Sequence, residues 1–313
     1  MQAAYLLDDP AVLDPASDSS LELIRRHQLR SHRVLLVRRD GVSLRGGEVS
    51  FQAQVIEIAD GQDPWHRLGP LEQVAAAACD LVAIRLEPPV DASYRLLCQM
   101  LAYAAAQGVR VWNRPQAILA QEEKLSAFGF AAHTPPSLAS SSKAELLAFC
   151  RGREAGVMVK PFNSMGGRGV FAFASGADSN IEVALEEILR RDGLALVQER
   201  LPAVVDGDRR VFVIDGQPAE LMLNRVPKAD GHRGNMAAGG QPEAMPLGEA
   251  ERRVAEAVGP VLKERGVVFA GIDVIGGKLT EINITCPTGL KTVRDQTGEA
   301  FADQVIDAML AAA

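Results

Sequence analysis

The segment Asp273-Val-Ile-Gly-Gly-Lys-Leu-Thr-Glu-Ile-Asn-Ile-Thr285 constrains the fold more than any other, because two apolar runs flank a glycine pair and carry oxygen-bearing side chains at strand spacing. Phe269, Ile272, Val274 and Ile275 read as one strand and Leu279, Ile282 and Ile284 as the next, with Gly276-Gly277-Lys278 as the turn. A three-residue loop sets Asp273 directly across from Glu281, whereas a two-residue loop sends the two carboxylates to opposite faces. In the first register two unneutralised carboxylates stand about 5 Å apart and repel, and a cation resolves the repulsion. Asn283, two residues past Glu281, shares its face and adds a third oxygen. An all-oxygen set without Cys or His suits Mg²⁺ or Mn²⁺ rather than zinc. In the second register the segment is a surface hairpin with scattered polar residues, and this stretch alone leaves both readings open.

A chain of 313 residues has room for two or three domains with substantial cores. Its composition, 47% hydrophobic and 23% charged, is that of an ordinary globular protein. Lys and Arg total 33 against 40 Asp and Glu, a net charge of -7, which argues against a general phosphate-backbone binder, so no nucleic-acid partner is expected and any anion site must be local. The start, Met1-Gln-Ala-Ala-Tyr-Leu-Leu-Asp-Asp, lacks the basic and apolar regions of a signal peptide. No apolar run approaches the roughly 20 residues of a membrane span; the longest, 74–84, is broken by Asp80. A cytoplasmic location and no membrane partner are therefore expected. Cys79, Cys98, Cys150 and Cys286 show no C-x-x-C spacing, so most are expected as small buried hydrophobes. His27, His32, His66, His133 and His232 show neither metal nor triad spacing and are expected at the surface.

Up to about residue 113, apolar runs at 34–37, 81–86 and 109–112 alternate with helical patterns at 21–28 and 92–107, the second capped by Asp91, and 42–59 reads as extended structure turned at Gly46-Gly47. That alternation predicts an open α/β domain. The next block, to about residue 200, predicts helices at 116–128, 143–151 and 181–191 and strands at 157–159 and 170–174, a small α+β unit. The last block opens at 196–201, continues through a hairpin at 210–214 and 219–225 turned by Asp215-Gly216, and adds a helix at 249–265, the metal hairpin and a final helix near 299–310.

Lys160-Pro-Phe-Asn-Ser-Met-Gly-Gly-Arg-Gly169 follows one strand and leads into another. Its glycines permit positive φ and close approach of backbone N–H groups to an anion, and Lys160 supplies charge. The loop is a phosphate cradle in outline but fits neither common nucleotide motif, and a tight turn with an exposed lysine is the competing reading. Arg209, Arg210, Arg225 and Arg233 cluster before the metal hairpin, and arginine offers a planar fork for carboxylate or phosphate. Asp208 beside Arg209 and Arg210 also reads as a plain surface ion pair.

In order, Asn113-Arg-Pro-Gln116 with Lys124, Lys160-Pro with Met-Gly-Gly167, Val197-Gln-Glu-Arg-Leu-Pro202, Asp206-Gly-Asp-Arg-Arg210, Arg233-Gly-Asn-Met-Ala-Ala-Gly-Gly240, and Asp273 with Thr280-Glu-Ile-Asn-Ile-Thr-Cys-Pro-Thr288 closely resemble the prokaryotic glutathione synthetase family of ATP-grasp ligases. The likeness extends through Asp80-Leu-Val-Ala-Ile-Arg85-Leu-Glu-Pro-Pro89 and, more weakly, Asp18-Ser-Ser20, and so covers nearly the whole chain. It implies an α/β fold, an open α/β N-terminal domain followed by a two-part ATP-grasp fold: a substrate domain at 1–113, a small subdomain with the glycine loop at 114–200, and a large subdomain with the metal site at 201–313. It implies that Lys124 and Lys160 hold ATP phosphates with Gly166 and Gly167 in the glycine loop. By the same likeness Gln198, Glu199 and Leu201 read adenine, Asp208 lies near the ribose, and Arg210 and Arg225 face the transferred phosphate and the acyl intermediate. Asp273, Glu281 and Asn283 match the Mg²⁺ (or Mn²⁺) ligands, Arg85 a substrate-facing arginine, and Arg233 and Asn235 a loop that covers the site.

The activity this implies is ATP-dependent joining of γ-glutamylcysteine and glycine through an acyl phosphate, releasing ADP and phosphate, with small-molecule partners and a homo-oligomer as the expected assembly. Three departures bear on the substrate: Leu86-Glu87 stands where the family often has a charged pair, Cys286 and Gly289 replace expected residues, and the first 60 residues match poorly. A paralogue acting on another carboxylate or amine, or a nucleotide-binding protein without catalysis, shares the same motifs.

Overall fold

The computed structural model describes residues 1–162, 164, 166–226 and 241–311. Strands β1 (Gln2–Leu6), β2 (Arg33–Arg45), β3 (Glu48–Ile58), β4 (His66–Ala75), β5 (Leu81–Ile84) and β6 (Val111–Trp112) form one sheet in the order β4-β3-β2-β1-β5-β6. β1 runs parallel to β2 and β5, and β5 to β6, while β2, β3 and β4 form an antiparallel meander. Helix α1 (Ser19–Leu29) is capped by Asp18, whose carboxylate accepts from Ser20 N and Leu21 N, and α2 (Ala92–Ala106) by Asp91, which accepts from Tyr94 N, as expected. Two strands of this sheet were not expected. β1 is so completely buried that its sequence shows no alternation, and β4 carries Gly69 and Pro70 on an edge strand, where proline is tolerated. The run at 109–112 shrinks to Val111–Trp112.

After α3 (Pro115–Ala120) the chain departs from expectation, because the helix predicted over 116–128 is divided. Gln121 is extended, and a 3₁₀ segment follows at Leu125–Phe130. The Glu122 carboxylate accepts from Lys124 N and Leu125 N, both at 2.7 Å, which diverts the backbone from helical bonding. Glu123 O accepts from Ile282 N at 3.0 Å, tying this strap to a distant strand. Beyond it, β7 (Ser137–Ser140), α4 (Lys143–Arg151), β8 (Val157–Lys160), β9 (Phe171–Phe173), α5 (Asn180–Asp192) and β10 (Ala195–Glu199) make a sheet ordered β7-β10-β8-β9 with a core of its own around Leu146, Val159, Leu185 and Val197.

The third sheet, β13-β12-β11-β14-β15, is antiparallel throughout and uses β11 (Asp208–Ile214), β12 (Gln217–Val226), β13 (Gln241–Pro246), β14 (Phe269–Ile275) and β15 (Lys278–Asn283). Helix α6 (Glu249–Glu264) buries Val254, Val258 and Leu262 against Val211, Ile272 and Leu279. On the opposite side Phe212 and Phe269, with Leu290 and Val293 of α7 (Leu290–Thr297) and Phe301 and Val305 of α8 (Phe301–Ala311), share one core with Tyr5, Leu21, Ile24 and Leu36 of the first sheet and α1. Each phenylalanine buried there is worth about 2–3 kcal/mol, so the two ends of the chain are held together by apolar packing. Asn113, at the end of β6, joins them with polar bonds as well: its side chain donates to Phe269 O (2.8 Å) and Ile284 O (2.6 Å) and accepts from Val268 N (2.9 Å) and Phe269 N (3.1 Å).

His27 corrects the expectation of surface histidines. It is fully buried between Tyr5 OH (3.0 Å) and His32 Nδ1 (2.9 Å), and burial lowers its pKa to about 3. Cys79, Cys98 and Cys150 are buried as expected, and Cys286 is half-buried. No helix among the described residues is long and apolar enough to cross a membrane.

Candidate active site

The β14–β15 hairpin is where the expected loop is wrong and the expected register right. Ile275 pairs with Lys278, so the loop is only Gly276-Gly277, both at positive φ (55° and 73°) as a tight hairpin turn requires. Val274 opposes Leu279, yet Asp273 opposes Glu281, which leaves Thr280 as an extra residue in β15. This β-bulge returns Glu281 to the face of Asp273. Thr280 Oγ1 donates to Asp273 O at 3.1 Å and fastens it.

Facing that pair, Arg210 of β11 lies directly across from Asp273 and grips it as a fork, Nε to Oδ1 and Nη2 to Oδ2, both at 2.9 Å. Gly271, on the same strand face, makes room: a Cβ there would come within 3.3 Å of Arg210 Nε and 3.2 Å of Pro287 Cβ. Arg210 Nη1 also donates to Thr288 Oγ1 at 3.2 Å. Arg225 of β12 is 1% exposed, with Nη2 at 2.7 Å from Asp208 Oδ2 and 3.0 Å from Asp273 Oδ1. Burial works to raise the Asp273 pKa, but the guanidiniums of Arg210 and Arg225 outweigh it and hold the group at about 2. For Asp208 burial wins over the same cations and its pKa is raised. Asp208 is thus a partner of buried Arg225, not of its sequence neighbours. Arg209 leaves the expected cluster, since it pairs with buried Glu251 of α6 at 2.5 Å.

Lys124 is buried and reaches Glu281 Oε1 (3.3 Å) and the carbonyls of Phe162 (3.2 Å) and Ser164 (2.8 Å) in the glycine loop. Burial depresses its pKa, but Glu281, Glu122 and Glu123 more than offset this and the pKa is raised. Lys160 Nζ donates to Gln198 Oε1 at 2.7 Å, and burial lowers its pKa against the pull of Glu281, Asp208 and Asp273. Gly166 and Gly167 take positive φ (63° and 72°), as a cradling loop needs. Gln198 is buried at the end of β10, Glu199 stands 3.6 Å from Arg153, and Leu201 opens the 3₁₀ turn Pro202–Asp206. Arg85 is buried behind the site, donating to Ser20 Oγ (3.0 Å) and Pro287 O (2.9 Å), so it ties the Ser19-Ser20 helix start to the Pro287 loop. Leu86 is a core residue, while Glu87 reaches a cavity and burial raises its pKa. Arg233 and Asn235 lie outside the described residues.

A cavity of about 420 Å³ gathers Gly166, Arg210, Arg225, Asp273, Glu281 and Asn283. Lys124 lines an adjoining one of about 410 Å³. Lys160, Gln198, Glu199, Leu201, Asp208 and Arg85 do not line the first cavity. Among the residues that do, sequence reasoning gave no site role to Asp14, Ser17, Glu123, Arg168, Thr285 and Thr288. Glu123 joins the two cavities, and burial, with the charge of Glu281, raises its pKa to about 7. It stands beside Lys124 in the sequence, where an acid next to a lysine reads as an ordinary surface pair.

Among the described residues no group of three or more His, Cys, Asp or Glu side chains forms a metal cluster. The candidate set is two carboxylates and an amide, with Asn283 Nδ2 donating to Asp273 Oδ2 at 3.2 Å. Such a set fits a hard divalent cation that takes the rest of its shell from phosphate oxygens. Asp273 must share its oxygens with Arg210 and Arg225.

Comparison with known proteins bears on this geometry. Residues 1–118 match the family model of the prokaryotic glutathione synthetase N-terminal domain and residues 123–298 that of the prokaryotic glutathione synthetase ATP-grasp domain. A glutathione synthetase of Xylella fastidiosa is 38% identical over 97% of this chain and 98% of its own length, and one of Nitrosomonas europaea 35% over 99% and 97%. The solved structure of D-cycloserine synthetase DcsG superposes with a TM-score of 0.67 at 15% identity, covering 99% of each chain. D-alanyl-alanine synthetase A of Vibrio cholerae gives 0.60 at 13%, covering 99% of this chain and 98% of that one. Those two likenesses show the ATP-grasp architecture alone. With both family models matching in order and relatives aligned over nearly their full length, the chain belongs to the prokaryotic glutathione synthetase family of ATP-grasp carboxylate–amine ligases.

Proposed function

We propose that the protein joins γ-glutamylcysteine to glycine at the expense of ATP, by way of an acyl phosphate. The observation that carries this reading is the convergence of Arg210, Arg225, Asp273, Glu281 and Asn283 on one cavity in a chain whose full-length relatives are glutathione synthetases. Lys124 and Lys160 would hold phosphate oxygens, with the backbone of Gly166 and Gly167 closing on them. Gln198, Glu199 and Leu201 would meet the adenine and Asp208 the ribose, while Arg85, Arg233 and Asn235 would serve the peptide side. Asp273, Glu281 and Asn283 would hold Mg²⁺ or Mn²⁺, which when bound neutralises charge on the β- and γ-phosphates.

In the first step a carboxylate oxygen of the peptide attacks the γ-phosphorus and the bond to ADP breaks. Arg210 and Arg225 face the charge that spreads over the phosphoryl oxygens, in a cavity where preorganised donors act most strongly. The amine nitrogen of glycine then attacks the acyl carbon, and phosphate leaves carrying the former carboxylate oxygen. This route needs no covalent nucleophile from the chain.

A coupled ADP-release assay with γ-glutamylcysteine and glycine, set against a panel of other carboxylates and amines, tests the assignment. ADP release on the first pair is expected. Release only on another pair would keep the ligase and overturn the substrate, and Mg²⁺-dependent ATP binding with no release on any pair would overturn the enzyme.

A further inference from the structure

We propose that Glu123 touches the second substrate, with its free carboxylate oxygen receiving an N–H of the amine that attacks the acyl intermediate. The proposal rests on the ligase reading above. Glu123 is held from two sides. Its main-chain oxygen accepts from Ile282 N at 3.0 Å, and its Oε1 accepts from Thr285 Oγ1 (2.9 Å), Ile284 N (3.2 Å) and Thr285 N (3.3 Å). These bonds fix the carboxylate beside the metal hairpin and leave Oε2 without a partner among the described residues. The same side chain lines the cavity that holds Arg210, Arg225, Asp273 and Glu281, and the adjoining cavity bordered by Lys124.

Charge decides what meets that oxygen. The phosphates and carboxylates of the reaction are anionic and find Lys124, Arg168, Arg210 and Arg225 around the two cavities. A carboxylate oxygen that opens onto the cavity repels such groups and is placed to accept from an N–H donor. Only two groups of the substrates arrive as ammonium ions with N–H donors, the α-ammonium of the γ-glutamyl residue and that of glycine, which loses a proton to solvent before its nitrogen attacks and keeps N–H donors as the free amine. For the γ-glutamyl ammonium the chain has a second set of acids: Asp14 and Glu87 line this cavity too, and continue into a further one with Asp8 and Asp18 that Asp273, Glu281, Asn283 and Glu123 do not border. That leaves Glu123, next to the hairpin, for the attacking amine.

The isosteric change Glu123→Gln separates the roles of the two oxygens. The amide oxygen still accepts from Ile284 and Thr285, while an NH₂ donor replaces the free oxygen. KM should be measured for glycine, γ-glutamylcysteine and ATP, together with the thermal midpoint and the affinity for Mn²⁺ plus a non-hydrolysable nucleotide by calorimetry. The expected result is a KM for glycine raised roughly ten- to a hundredfold, the loss of one charged hydrogen bond, with the other quantities unchanged. Glu123→Ala should raise the glycine KM as well and also lower the thermal midpoint, because Thr285 and Ile284 lose their acceptor. An unchanged glycine KM in Glu123→Gln, a rise confined to γ-glutamylcysteine, or a fall in Mn²⁺ affinity without change in glycine KM would each overturn the proposal. Should the wild type turn over a different amine, the glycine assignment fails by itself, and the same KM comparison on that amine decides the role of Glu123.

Discussion

At the scale of single residues the site is governed by compensation between buried charges. Asp273 and Asp208 are both enclosed, and Arg225 stands between them while Arg210 takes the outer side of Asp273. Removing one partner of such a set leaves a charge buried without compensation, and lysine cannot reproduce the planar fork. Arg210→Lys is therefore expected to lower kcat roughly 10²–10³-fold, as loss of a transition-state donor does, with little change in the KM for glycine; steady-state kinetics checks it. A different kind of charge effect belongs to His27, which faces Tyr5, His32, Arg30 and Asp303. Its folded pKa of about 3 lies below the ordinary 6.5, so the unfolded chain binds the proton more readily between those values. The stability it contributes is complete above about pH 6.5 and is lost as the pH falls toward 3. Thermal midpoints between pH 7 and 4 should fall, and His27→Gln should flatten that fall. An equal slope in the variant would contradict the assignment.

At the scale of elements, the β-bulge at Thr280 decides whether the hairpin carries a site at all. The two-residue turn alone would put Glu281 on the face away from Asp273, and one extra residue reverses this. Deleting Thr280 would only make the strand regular, with Glu281 still opposite Asp273, so the test is Glu281→Ala, which leaves the hairpin in register. Loss of Mn²⁺-dependent nucleotide binding by calorimetry, with the far-UV circular dichroism retained, is the expected outcome; intact binding would mean that Glu281 is no ligand. This element also shows what the sequence can and cannot disclose. The residue types and their spacing revealed the strands, the glycine turn and the three oxygens, but nothing in Leu-Thr-Glu distinguishes a bulged from a regular strand. The helix expected over 116–128 failed for a related reason: its apolar pattern is helical, and only the side chain of Glu122 and the tie from Glu123 to β15 interrupt it. Glu123, Thr285 and Thr288 received no role from the sequence because their importance lies in contacts between segments far apart in the chain.

At the scale of the whole molecule, the first and last parts of the chain share a core, and the small sheet has its own. The shared core places the Pro287–Thr288 loop beside the Arg85–Pro89 segment and the start of α1, so the cavity walls come from both ends of the sequence. Asn113 is a tie in this arrangement. Asn113→Ala would leave backbone groups of Val268, Phe269 and Ile284 unpaired inside the protein, at a cost on the order of 3–5 kcal/mol; chemical denaturation should show it, with no change in unfolding cooperativity. The division at 1–113, 114–200 and 201–313 is proposed as a functional one, since a shared core unites the first and third parts. What the whole assembly is proposed to do is transfer a carboxylate oxygen to phosphate. Labelling the cysteinyl carboxylate of γ-glutamylcysteine with ¹⁸O and analysing the products of one turnover with ATP and glycine tests that claim most directly. The acyl-phosphate account predicts one labelled oxygen in inorganic phosphate for each peptide bond formed, with ADP as the nucleotide product; label in AMP, or phosphate free of label, would contradict it.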